Sequence, residues 1–171
     1  MTNTQRLAVI RTGIFAGAAG GLAEIALVTL YAGVTGADPA VLARGVTTAA
    51  GVTALLPASP VALGIGVHIA LAVMLGVVLA VGWQALSANR GLANPYSFMV
   101  AALAGVWAVN FFVVLPIVSP AFVHIVPYAV SLTSKLLFGV AAAEVIRDEA
   151  MFAARTARLL RAKISADQNI C

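Results

Sequence analysis

The sequence predicts an all-α integral membrane protein, a four-helix bundle with both termini cytoplasmic. Three observations predict it. Hydrophobic residues make up 62% of the 171 positions and charged ones only 9%, with a mean hydropathy of +1.04, well outside the range of soluble chains. Four apolar runs are long enough to cross a bilayer. The basic residues then collect on one side of that topology: Arg6, Arg11, Arg90, Arg147, Arg155, Arg158, Arg161 and Lys163, against Arg44 alone on the other. By the positive-inside rule that side is the cytoplasm. The net charge of +4 therefore reflects orientation in a membrane and excludes a nucleic-acid surface. Cys171 is the single cysteine, so no disulfide or thiolate metal cluster forms within the chain.

The first span is predicted over 7–34. Arg11 interrupts it too early for the apolar core of a signal peptide, so it is read as a transmembrane helix. Gly13, Gly17, Gly20, Gly21 and Glu24 fall on one face, and their small-xxx-small spacing lets another helix approach closely, which turns Glu24 into the bundle. Residues 35–58 mix Gly, Pro and Thr with Arg44 and fit two placements, flat on the membrane or dipping into it. The second span, 60–85, carries a stripe of Gly64, His68, Ala72 and Gly76, with Trp83 as an interfacial anchor. A short turn bearing Arg90 leads to the third span, 96–117, which contains Trp107 and Asn110. Pro116 and Pro120 are expected to break this helix and make a tight hairpin with the fourth span, 121–146.

The fourth span has a lysine at its middle. At helical spacing His124, Tyr128, Ser131, Lys135, Gly139 and Ala142 share one polar or small face, and Val130, Leu132, Leu136, Leu137 and Val140 lie opposite. Beyond Arg147 the pattern becomes a basic extension over 147–164. There Arg155, Arg158, Arg161 and Lys163 alternate with Phe152, Leu159 and Leu160, which suits an interfacial helix binding anionic lipid headgroups or an acidic partner surface.

At about 1.5 Å per residue, Lys135, counted from Arg147, and Glu24, counted from Arg11, both lie roughly 18–20 Å deep in a ~30 Å core. They are expected to pair, because an unpaired charge there costs about 2.5–3.5 kcal/mol. Asn110, counted from Tyr96, reaches a similar level. Glu24, Asn110, Lys135, Ser131 and Tyr128 are thus the candidate intramembrane polar site. The same counting from Arg90 and Arg147 sets His68 and His124 together at a second level near the outer surface. Two imidazoles are the minimum for a haem b, or part of a copper or zinc site, though nothing else in the sequence completes one.

No nucleophile–base arrangement, phosphate loop or dinucleotide fingerprint occurs, so nothing points to an enzyme. The glycine-rich GIFAGAAGG lies inside a helix and is a packing face. The preferred reading is a small accessory or scaffolding subunit without a cofactor, packing through its glycine faces against itself or a larger membrane complex. Its rival is a proton- or ion-coupled transporter or channel-like homo-oligomer in which Glu24, Asn110 and Lys135 line a path. A third class is a redox subunit holding haem or metal at His68 and His124.

Three pieces of the last hundred residues carry a resemblance: HIALAVMLGVVLAVGW from His68, LPIVSPAF at Leu115 to Phe122, and EVIRD at Glu144 to Asp148. In this order they resemble the YagU-like family of small bacterial inner-membrane proteins. The resemblance implies a four-helix architecture in that membrane and no particular activity. The chain departs from the family pattern by having Asn110 and Lys135 where a histidine and an acidic residue are expected, so no polar site is carried over.

Overall fold

The computed structural model of the protein describes residues 2–52, 60–90 and 94–168, and among them the chain is helical throughout, without strands. Helix α1 spans Asn3–Thr35. Thr2 and Gln5 close its start with a reciprocal capping box, and Gly36, at φ 73°, ends it in the left-handed conformation that costs glycine little. Asp38 caps the short α2, Pro39–Ala49, whose first residue is a proline with no N–H to leave unpaired. Helices α3, Pro60–Arg90, and α4, Pro95–Val109, follow. The last, α6, runs unbroken from Tyr128 to Gln168. Four of these rods are long and apolar enough to cross a membrane: Asn3–Thr35, Val61–Ser87, Pro95–Val118 and Tyr128–Ala162.

Two expectations about the hairpin are corrected. Pro116 does not break the third span. A π-helical turn at Asn110–Val114 lets the Leu115 N–H donate to the Asn110 carbonyl, and a short α5, Leu115–Val118, carries the rod past the proline. A widened turn upstream is one way a helix absorbs a residue that has no N–H and crowds the preceding turn. The rod ends instead at Ser119, and Pro120–His124 forms a 3-10 turn. The fourth long helix therefore starts at Tyr128, not at 121, and His124 is not on its polar face.

The helices are arranged in a row. Helix α1 lies between α3 and α6, and α4 packs on the far side of α6. Helices α3 and α4 touch through Trp83 and Phe98, whose rings are 5.7 Å apart. Glycine explains how closely α1 fits. A Cβ on Gly13 would strike the Val77 backbone, one on Gly17 the Ala72 carbonyl and Val73, and one on Gly21 the Ala72 side chain. Gly20 faces the other way and admits the Phe138 ring of α6. The expected single glycine face is thus two seams. Gly139 plays the same part between α6 and the Met99–Val100 backbone of α4. Phe138, Met99, Leu103, Ala142 and Ala143 are fully enclosed at the centre.

The first part of residues 35–58 is helical and packs on the bundle. Helix α2 packs along the beginning of α3, with the Ala43 carbonyl over Gly64 and Thr47 buried at 0% exposure. Residues 53–59 lie outside the described residues.

Candidate functional site

Glu24 is 3% exposed, and its partners come from two other helices. Lys135 Nζ on α6 lies 2.7 Å from one carboxylate oxygen and 3.0 Å from the other. The Gly20–Phe138 seam brings the two together, because it lets α6 sit against α1 one turn away. The ammonium also lies 5.7 Å over the Phe138 ring, a second favourable contact for a cation in apolar surroundings. The buried carboxylate is thus compensated in charge and hydrogen bonding by Lys135, as a charge in this position requires.

The third member is His68, whose Nε2 approaches Glu24 Oε2 at 3.5 Å. It was expected near the outer surface beside His124, and that level is corrected. Val77, Val73 and Ile69 of α3 face Gly13, Gly17 and Gly21 of α1 in turn, an antiparallel register that continues to bring His68 to Glu24. Followed the other way, the register sets Arg11 opposite Leu79, so Arg90 lies about eleven residues, or ~16 Å, farther along. Counting from Arg90 therefore set His68 too far from the cytoplasmic side and too near the outer surface. His124 is exposed in the 3-10 turn. It precedes Tyr128, itself seven residues or about 10 Å from Lys135 along α6, so the two histidines do not form a joint site.

The remaining candidates separate. Asn110 belongs to the π turn and sits in an apolar groove along α4 with Gly105, Val106, Val109 and Val114, not beside the ion pair. Ser131 is buried, accepts from Trp107 Nε1 at 3.0 Å and donates to the Tyr128 carbonyl, so it ties α6 to α4. Tyr128 is half exposed and packs against Phe111 and Phe112. The π turn makes this possible, because Trp107 meets both Phe111 and Phe112 at 5.5 Å. Arg155, Arg158 and Arg161 are exposed on the continuation of α6, and the Lys163 side chain lies outside the described residues. Among the described residues no three His, Cys, Asp or Glu side chains gather as metal ligands.

A second set of charges ties the opposite end of the seam. Arg11 and Glu149 are 3.2 Å apart, and Arg147 pairs with Glu144 while stacking 5.8 Å over Tyr96. No protein family, curated relative or solved structure matches the chain. The fold and the cluster define an all-helical protein, with four helices long and apolar enough to cross a membrane and a Glu–Lys–His group drawn from three helices.

Proposed function

We propose that the protein is a small membrane-embedded packing subunit, an accessory or scaffolding element with both termini in the cytoplasm of a bacterial inner membrane. The row order of its helices carries this reading. Helices α3 and α4 are the ends of the row, and each rod presents exposed apolar side chains: Leu71, Met74 and Val78 on α3, and Val109 of α4 with Phe112 of the π turn and Ile117 of α5. The Glu24–Lys135 pair supports the same role, since one bond holds the first long helix to the last in a fixed register. Helix α6 adds a basic extension in which Arg155, Arg158 and Arg161 and the apolar Phe152, Leu159 and Leu160 are all exposed, a surface suited to an acidic partner or anionic headgroups.

The rival transporter reading has its charged pair but not its third lining residue, because Asn110 is turned to the groove on α4. Native mass spectrometry from mild detergent tests the choice. A complex of this chain with a second, different membrane polypeptide is the expected mass. A homo-oligomer with no foreign subunit overturns the scaffold and favours the transporter.

A further inference from the structure

The imidazole of His68 is placed for a task that packing does not require. Its Nε2 is a buried atom without a hydrogen-bond partner, and it faces a carboxylate oxygen that already accepts from Lys135. A neutral imidazole whose Nε2 bears no proton sets two acceptors against each other there, and a buried polar atom left unpaired costs about 1–3 kcal/mol. One proton added at Nε2 removes both problems. It turns the 3.5 Å approach into a charge-assisted hydrogen bond from imidazolium to carboxylate.

We propose that His68 and Glu24 form a proton-binding site, and that a proton bound there competes with Lys135 for the Glu24 carboxylate. The balance is simple. A proton from the aqueous phase binds the Nε2 lone pair, the imidazolium donates to Oε2, and Lys135 keeps at most Oε1. No covalent bond changes elsewhere. The side chains of His68 and Lys135 are 26% and 20% exposed and that of Glu24 is 4% exposed, while His68 Nε2 itself is buried. Released from one oxygen, the lysine retains the Phe138 ring as a neighbour.

The charged groups around the imidazole are few. Glu24 faces it from α1 and Lys135 from α6, and the backbone of Gly21 also meets the ring. Helix α2, which packs on the same helix as His68, contributes no free charge among the described residues, since its Arg44 is paired with Asp38 at 3.0 Å. Helix α4 touches α3 only through the distant Trp83–Phe98 contact among the aromatic pairs described. Two opposite charges therefore lie beside one partly buried imidazole. The site stands whether or not the chain binds a partner subunit.

The test is a 15N titration of the histidine ring in full-length protein in lipid nanodiscs, from about pH 5 to 9. His124→Gln, a change at the exposed 3-10 turn, leaves His68 as the single histidine. In that background His68 is expected to pass from neutral to imidazolium in one step. Glu24→Gln then lowers its proton affinity at least about tenfold, and Lys135→Met raises it at least about tenfold. If Glu24→Gln alone does not fold, the charge-neutral Glu24→Gln/Lys135→Met pair replaces it, with an affinity expected below that of Lys135→Met. A His68 ring that stays neutral until the protein unfolds overturns the site. A ring whose titration fails to move in opposite directions with loss of the acid and loss of the base overturns the competition.

Discussion

Glu24 and Lys135 are 111 residues apart in the chain and 2.7 Å apart in the fold, with the acid almost fully enclosed. A pair of this kind is a constraint before it is a source of stability, because desolvation cancels much of its attraction. Its removal is therefore asymmetric. Lys135→Met, which leaves the carboxylate without its cation, is expected to destabilise the protein by about 3–5 kcal/mol, whereas Glu24→Gln/Lys135→Met recovers most of that loss. Reversible unfolding in mixed detergent measures both. Equal losses for the single and double variants would show that the contact is incidental.

The glycines of α1 make a second, sharper contrast. Gly17→Ala forces a Cβ into the Ala72 carbonyl and is expected to cost about 1–3 kcal/mol by pushing α1 off α3. Gly66→Ala, with nothing within 4 Å of the new atom, leaves stability unchanged or raises it by up to ~1 kcal/mol through helix propensity. Melting temperatures of the two variants separate close approach from mere glycine content.

Gly20 and Phe138 are coupled through one space. Phe138→Ala empties a fully buried position and is expected to cost about 3–5 kcal/mol. Gly20→Ala alone drives a methyl into the ring. In the double variant the new methyl enters the vacated volume, so the losses are expected to fall short of additive by at least about 1 kcal/mol in a double-mutant cycle. Additive losses would mean that the two side chains do not share that space.

Asp38 lies in an exposed segment between the first two helices, and its carboxyl is held below the usual carboxylate range by the Ala40 N–H it accepts and then by Arg44. A depressed folded-state value means that the ionised cap contributes above the ordinary carboxylate range and that this contribution disappears as pH falls through the lowered value. Hydrogen exchange in α2 is expected to quicken only on strong acidification, and to be fast at neutral pH in Asp38→Ala but not in Asp38→Asn, which keeps a capping oxygen. Equal protection in all three proteins would show that α3, not the cap, holds α2.

The single cysteine offers a direct topology measurement. On the proposed orientation, Cys171 in intact cells is expected to resist a membrane-impermeant maleimide and to react after permeabilisation. Labelling of intact cells would reverse the orientation.

The long helices were legible because apolar length and charge placement are local properties. The Glu24–Lys135 pairing was legible for a narrower reason. Arg11 and Arg147, from which the two depths were counted, flank the same seam, where Arg11 reaches Glu149. His68 was misplaced because Arg90 is no such reference: α3 runs well past the level of Arg11, and a helix's own length says nothing of its offset against a neighbour. Asn110 failed for a related reason, since depth fixes the height of a side chain but not the direction in which it points. The π turn was hidden as well. Pro116 signals trouble in the helix, but whether the chain breaks or widens depends on how Trp107, Phe111, Phe112 and Tyr128 pack around it.

By itself the sequence determined four apolar rods, their polarity of charge and the acid and base that had to find partners, because each follows from the free energy of placing a residue at a given depth. Only the tertiary structure decided the row α3–α1–α6–α4, the division of the glycines between two seams and the entry of His68 into the charged cluster. Those depend on which backbone can come close enough to which, a question of shape between helices that no single helix encodes.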